Sequence, residues 1–344
     1  MIKNIILLTD YKGFFGSKQR TIIYRGGMDL VCIQELFSRY SYIAEILPIR
    51  SINQYNIEKE STLILYTSNE DLHSLYKSYI EDIVFHLEQD NYYVLPVYAY
   101  LKAHNNKVAM ELLRERSKLE CIKTIKSKYY GTVEELNHDL DTISFPVVIK
   151  TASGAMGRGV MKANNPDELI KKAKYISRSS NILHDIKEIL RKVKYSSKYK
   201  IESFNRNKFI VQNFIEGLDN DWKVLVYGDK CFVLYRGNRN NDFRASGSGN
   251  FIFKKDIPEG LLEYAYKIKE HFDVPHISLD VGYDGKSFHL LEFQFIYFGT
   301  TTLEKAPFYF VLHNNEWNVI DEKQNLENAY VESVIDFIKD SMEL

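Results

Sequence analysis

Apolar residues recur along the first hundred positions in two alternating rhythms. Short apolar runs at 5–8, 63–66 and 93–96 read as strands, and between them 28–40 and 72–89 carry apolar side chains at helical spacing. Strands alternating with helices predict a parallel sheet with crossover helices. The pattern then changes. Residues 105–124 read as a helix with Val108, Leu112 and Leu119 near one face, and 145–150 (FPVVIK) as a compact strand of buried type. A glycine-rich hairpin loop, 151–160 (TASGAMGRGV), follows directly, and a Pro-Asp pair suits a helix start within 165–175. Strands dominate from there, at 209–214, 223–227, 231–235, 251–253, 276–283 and 287–295, with helices at 261–272 and 326–342. Gly228-Asp229 and Asp284-Gly285 lie between apolar runs, as hairpin turns do. The expected class is α/β (α+β): an N-terminal parallel α/β domain over 1–104, a small central domain over 105–211, and a C-terminal domain over 212–344 with an antiparallel sheet and helices.

Composition narrows the partners. The chain has 344 residues, room for two or three packed units, and a formal net charge of −1, which gives nucleic acid or an anionic membrane no global attraction. Cys32, Cys121 and Cys231 lie far apart with no metal-ligand spacing, so a disulfide framework or structural zinc is not expected. The first ten residues are too short an apolar run for a secretory signal, and no stretch reaches the length of a membrane span. The cytoplasm is the expected location. In 171–208 Lys and Arg greatly outnumber acids; the segment reads either as a solvated helical insertion or as a basic lid that steers a polyanionic substrate.

Four constellations carry chemistry. Gly154, Gly157 and Gly159 let backbone N–H groups approach phosphate oxygens, and the loop directly follows a strand ending in Lys150, with Arg158 at its tip. It fits neither GxxxxGK[ST] nor a GxGxxG that opens a helix, so alone it is equally a plain hairpin. Glu292 and Gln294 are two apart on one strand and leave the same face, and hairpin pairing brings Asp280 near it. Three oxygen donors on a rigid sheet suit Mg²⁺ on triphosphate oxygens. The bland alternative is a solvated face, because Ile277, Leu279, Leu291, Phe293 and Phe295 alternate with these polars as in any half-buried strand pair. Arg244, in the run Asp242-Phe243-Arg244-Ala245-Ser246-Gly247 after Arg236, can stabilise charge on a transferring phosphoryl group, or stand in an ordinary surface loop. In 211–221, Gln212 to Ile215 can offer backbone groups to an adenine edge, and Asp219 or Asp221 can take ribose hydroxyls; read alone, this is a core strand and a turn. His276 and His289 lie on the same strands as the carboxylates and read as packed structural residues.

The order of these elements resembles the ATP-grasp superfamily, in particular its carboxylate–amine ligases such as D-alanine–D-alanine ligase, glutathione synthetase and ribosomal-protein glutamate ligase. The likeness covers roughly 100–300, and the first hundred residues look like the N-terminal α/β domain of that fold. It implies that Lys107 and Lys150 hold ATP phosphates and that Ser153, Gly154, Met156, Gly157, Arg158 and Gly159 form the lid over them. Gln212, Asn213, Phe214 and Ile215 resemble the adenine hinge, Asp219 or Asp221 the ribose ligand, and Lys223 the basic residue after the hinge. Arg244, with Lys150, matches the catalytic cations, and Asp280, Glu292 and Gln294 match the metal ligands for Mg²⁺ or Mn²⁺. Two departures stand out: Gln294 replaces the usual Asn, and Ala-Ser follows Arg244 where Arg-x-Asn is common, so the acceptor pocket is expected to differ.

What the resemblance implies is an ATP-dependent ligase forming a C–N bond through an acyl phosphate, with a small-molecule, peptide or sugar carboxylate, an amine acceptor, and a homodimer as one arrangement. Residues 295–302 (FIYFGTTT) are expected to line the acceptor pocket. Two other readings stay open: a non-catalytic ATP-binding protein and an ATP-grasp small-molecule kinase.

Overall fold

A computed structural model of the chain describes every residue except 19–25, 155–158, 180, 239–241, 243, 246–248, 250 and 343–344, with Met342 described by its backbone alone. The described residues divide into two compact units. Unit 1 holds Met1–His104, Leu119–Ile122 and Leu218–Leu344, and unit 2 holds Asn105–Lys118 and Lys123–Gly217. The N- and C-terminal thirds thus fold together.

Unit 1 begins with a four-stranded parallel sheet. Its strands are β1 (Asn4–Thr9), β2 (Ile43–Pro48), β3 (Thr62–Tyr66) and β4 (Tyr93–Leu95), in the order β2-β1-β3-β4. Helices α1 (Leu30–Arg39), α2 (Leu75–Gln89) and α3 (Tyr98–Ala103) accompany it. Asp29 caps α1 by accepting from the Val31 and Cys32 amides. Strands β1 and β3 are apolar at every turn because both faces are covered. Ile5, Leu7, Leu63 and Leu65 enter one core cluster, while Ile6, Leu8, Ile64 and Tyr66 enter another.

Unit 2 contains helix α4 (Lys107–Arg116), strand β5 (Ser127–Tyr130), helix α5 (Val133–Asp139), strands β6 (Val147–Thr151) and β7 (Val160–Ala163), helices α6 (Pro166–Ser177) and α7 (Ile182–Tyr195), and strand β8 (Phe209–Asn213). The strands form an antiparallel sheet in the order β5-β8-β6-β7. Val147, Ile149, Phe209 and Val211 pack on Leu136, Leu169 and Ala173. The helix expected over 105–124 ends at Arg116, and a short 3₁₀ turn, Glu120–Ile122, follows it. Its buried face is also not the apolar one: Val108 and Leu112 are half-buried, whereas Met110, Glu111 and Arg114 are buried. The Glu111–Arg114 ion pair makes that possible, because each charge supplies the other's hydrogen bonds.

The rest of unit 1 is a seven-stranded sheet with β9 (Asn220–Tyr227), β10 (Lys230–Gly237), β11 (Phe251–Ile252), β12 (His276–Tyr283), β13 (Phe288–Gln294), β14 (Tyr309–His313) and β15 (Glu316–Ile320). Its order is β13-β12-β9-β10-β14-β15, with β11 on β10. Helices α8 (Leu261–Phe272), α9 (Thr301–Lys305) and α10 (Leu326–Phe337) complete it. Leu225, Tyr227 and Phe232 share the core cluster of Ile5 and Leu7, together with Tyr330, Val331 and Val334 of α10. Pairing of β12 with β13 slips at one point: Asp280 faces Glu292, but Val281 faces Leu290, which leaves Leu291 as a bulge. Expected alternation breaks there, for Leu290 is fully buried and Leu291 only half-buried. No helix among the described residues is long and apolar enough to cross a membrane.

Candidate active site

In unit 1 the register of four strands gathers a polar row. Residues directly opposite one another share a face of the sheet, and so do residues two apart on one strand. Asp280 lies opposite both Glu292 on β13 and Lys223 on β9, and Asp221, two before Lys223, lies opposite Arg236 on β10. Asp221, Lys223, Arg236, Asp280 and Glu292 therefore stand on one face, with Gln294 opposite Ser278 one step further along. That face is partly covered, with Lys223, Asp280, Glu292 and Gln294 half-buried. Asp221 and Arg236 are buried, and the Ser278 hydroxyl is buried with no hydrogen-bond partner. A plain solvated strand pair does not look like this.

The charges interlock. Arg236 donates from Nε to Asp221 Oδ1 at 2.5 Å and from its terminal nitrogen to Asp221 Oδ2 at 2.8 Å, and reaches Asp280 Oδ2 at 2.8 Å. Lys223 Nζ donates to Asp280 Oδ1 at 2.8 Å. Burial opposes charge on both carboxylates, but the outcomes differ. Arg236 and Lys223 hold Asp280 well below the usual carboxylate range, while burial and the neighbouring Asp280 charge push Asp221 up. Asp280 is the firmly ionised member. Gln294 donates from Nε2 to Glu292 Oε1 at 3.1 Å. Asp280, Glu292 and Gln294 carry hard oxygen donors on one face, a set that fits Mg²⁺ in donor type, with Asp280 sharing its two oxygens with Lys223 and Arg236. Among the described residues no trio of His, Cys, Asp or Glu forms a metal cage; this set has two carboxylates, and its third member is an amide.

Two further expectations sort themselves here. Asp219 is exposed, whereas Asp221 is buried with both oxygens on Arg236, so of these two only Asp219 presents its carboxylate to solvent. Arg244 is paired with its near neighbour Asp242, through Nε at 2.9 Å and a terminal nitrogen at 2.5 Å to Oδ2. Phe295, Ile296, Tyr297, Phe298 and Thr300 line a cavity of unit 1. Tyr66, Tyr227, His276 and Tyr330 also line it, and among the described lining residues none is Asp, Glu, Lys or Arg. His276 lies four residues from Asp280 on the same face of β12, and burial holds its imidazole down to about 3, hence neutral.

Unit 2 carries the residues expected to hold phosphates. Lys107 opens α4, is buried, and donates from Nζ to the Gly154 carbonyl at 3.0 Å, while its amide donates to Ala152 O at 2.7 Å. Asn105 Oδ1 accepts from the Gly154 amide at 2.7 Å. The start of the glycine loop is therefore pinned to the start of α4. Lys150 lies on β6 opposite Val160 and Ile210. Ser153 O accepts from Thr151 Oγ1 at 2.7 Å. Gly159 closes the loop at φ +74, and a Cβ there would lie 2.6 Å from Thr151 Oγ1, so no other residue fits without displacement. Met156, Gly157 and Arg158 lie outside the described residues.

The expected hinge behaves less simply than four adenine contacts. Gln212 is buried, and its side chain donates to Glu111 Oε1 at 3.2 Å and to Ser127 Oγ at 2.9 Å. Ser127 Oγ in turn donates to Glu111 Oε2 at 2.6 Å. The Asn213 amide donates to Lys126 O at 3.2 Å, and the Phe214 amide to Pro146 O at 3.3 Å. Lys162 lies over the Phe214 ring, 3.8 Å from its centroid. These groups hold the segment 212–215, with Ile215 half-buried at its end.

Sequence reading missed several supporting residues. Arg236–Asp221 was legible: counting outward from the Gly228-Asp229 turn sets these two opposite each other. Thr132 and Glu135 form a capping box that announces α5, and Asn314-Asn315, both at positive φ, announce the β14–β15 hairpin. Glu111, Ser127 and Asn105 carried no signal, since each acts only through a distant partner.

A family model for the RimK-like ATP-grasp domain matches residues 103–295. The chain is 24% identical over 241 residues to an α-aminoadipate–LysW ligase, LysX, of Saccharolobus solfataricus, covering 70% of this chain and 76% of that protein. Among solved structures it resembles a RimK domain ATP-grasp protein from Sphaerobacter thermophilus (TM-score 0.50, 13% identity, 96% of this chain and 99% of that one). It also resembles the D-cycloserine synthetase DcsG (0.54, 11%, 97% and 99%) and the macrocyclase MdnC of Microcystis aeruginosa, bound to its precursor peptide MdnA (0.51, 9%, 97% and 99%).

Proposed function

The chain belongs to the RimK-like ATP-grasp family, and from that premise we propose that it is an ATP-dependent carboxylate–amine ligase working through an acyl phosphate. One observation carries the reading: Asp280 opposite Glu292, with Gln294 on the same half-buried face beside Lys223 and Arg236. Ionised oxygens and cations interleaved in a low-dielectric site suit the charge of a phosphoryl group in transfer.

The substrate carboxylate attacks the γ-phosphorus of ATP; the bond to the bridging oxygen breaks, and ADP leaves with its electron pair. The amine then attacks the acyl carbon, inorganic phosphate departs, and the ammonium proton passes to solvent. Lys107 and Lys150 bind nucleotide phosphates, and the loop that includes Ser153, Gly154 and Gly159 covers them against water. Asp219 takes a ribose hydroxyl, and Arg244, released from Asp242, pairs with the transferring group. A magnesium ion held by Asp280, Glu292 and Gln294 would neutralise phosphoryl oxygens.

The uncharged cavity beside Phe295–Phe298 supports an acceptor or donor whose distal part is uncharged, such as an aromatic or aliphatic side chain or a sugar ring. Relatives whose names give α-aminoadipate joined to LysW, and a precursor peptide, support amino-acid or peptide-like substrates in the same direction. The test is ATP turnover across a panel of acids and amines with hydroxylamine present. A ligase yields hydroxamate and ADP in equal amounts, and Glu292→Gln lowers both by at least about a hundredfold with the fold intact. A stable phosphoester would make the chain a kinase, and nucleotide binding without turnover on any pair would make it a binding protein.

A further inference from the structure

Helix α7 inverts the usual rule of burial. With about 100° between successive residues, Ile182, Leu183, Ile186, Ile189, Leu190 and Val193 fall within an arc of about 120°. Globular helices hide such a stripe. Here all six are exposed, from 49% at Ile186 to 77% at Val193. The polar side is what packs. The Glu188 carboxylate is fully buried and accepts from the Glu202 amide at 3.1 Å, from the Tyr199 hydroxyl at 2.8 Å and from Arg191 at 2.6 Å. Lys192 Nζ donates to Tyr199 O at 2.9 Å, and Arg178 pairs with Asp185 at 3.0 Å. The helix is therefore held at a fixed rotation with its aliphatic side outward.

The rim of the stripe is basic. Lys187 and Lys194 border one edge and are exposed, and Lys198 and Lys200 follow the helix, also exposed. The acid on the other edge, Asp185, is already paired with Arg178. This charge pattern chooses among occupants. In a two-fold antiparallel pairing of two copies like edges of the helices face each other, so Lys187 and Lys194 of both copies line one seam and repel. A partner helix seeks a groove with walls on both sides. The stripe is a ridge, since each of its side chains is about half or more in solvent. A ridge of aliphatic side chains with a lysine margin matches a flat, anionic and deformable surface.

We propose that α7 is an interfacial anchor that lays residues 182–193 on an anionic lipid bilayer, its aliphatic stripe at the acyl boundary and Lys187 and Lys194 among the headgroups. The proposal does not depend on the ligase reading. The whole chain is to be spun with vesicles of phosphatidylcholine alone and of phosphatidylcholine mixed with phosphatidylglycerol, at low and high salt, beside the pairs I186D/L190D and K187E/K194E. Binding is expected on the anionic vesicles only, weakened by salt, and reduced about tenfold or more by either pair. Melting temperature and nucleotide affinity should not change in K187E/K194E, which serves if the aspartate pair fails to fold. Three results would overturn the anchor: no binding by the parent chain, equal binding by parent and both pairs, or a parent dimer in light scattering that I186D/L190D makes monomeric.

Discussion

His276 shows at the scale of one residue how burial sets a property of the whole chain. It stacks on Tyr227, with ring centroids 5.3 Å apart, and its Nδ1 lies 3.4 Å from Ser333 Oγ. Burial lowers its pKa from 6.5 to about 3. Between those values the unfolded chain binds a proton that the folded chain refuses, so folding stability is retained above pH 6.5 and falls as pH drops towards 3. The slope from this one group approaches about 1.4 kcal/mol per pH unit. Urea unfolding from pH 7 to pH 4 should show a shallower loss in His276→Gln than in the parent chain. The sequence placed this histidine on a carboxylate-bearing strand as a packing residue, and the structure agrees. Arg236 was readable only in part: the Gly228-Asp229 turn sets it opposite Asp221, but its contact with Asp280, two strands away, carried no local signal.

Among elements, β8, expected to lead into an adenine hinge, separates what a pattern can tell from what it cannot. The apolar run was plain, but the use of Gln212 was not. Its amide closes a buried network with Ser127 of β5 and Glu111 of α4, on elements that the alternation of apolar residues did not single out or did not orient correctly. Gln212→Ala leaves Glu111 and Ser127 short of a donor in a buried place, and a loss of about 1–3 kcal/mol in stability is expected. Nucleotide affinity measured by calorimetry should change little if the side chain only supports the hinge; a loss of affinity at unchanged stability would make it an adenine ligand. The β12–β13 bulge was equally hidden. Counting back from the Asp284-Gly285 turn sets Asp280 opposite Leu291, and only the extra residue brings Glu292 there instead.

For the whole molecule, the main surprise is connectivity. Reading along the chain suggested three consecutive domains, whereas compactness joins the first and last stretches and leaves nearly all of 105–217 as a second unit with its own sheet and core. Local patterns report local elements and are silent on which distant surfaces share a core. A fragment spanning 105–217 is therefore expected to fold alone, with a cooperative melt by circular dichroism, while 218–344 expressed without 1–104 should lack one. Synthesis on the ribosome inherits the same asymmetry. The side of the first sheet bearing Ile5, Leu7, Leu63 and Leu65 is closed in part by Ile33, Leu36 and Phe37 of α1, and otherwise by Leu225, Tyr227, Phe232 and α10, which emerge well over a hundred residues later. At roughly 5–20 residues per second that wait lasts on the order of ten seconds or more. A nascent chain thus carries a half-closed greasy sheet past the exit tunnel while its middle segment is already finished, which makes it a client for chaperones and sensitive to stalled translation.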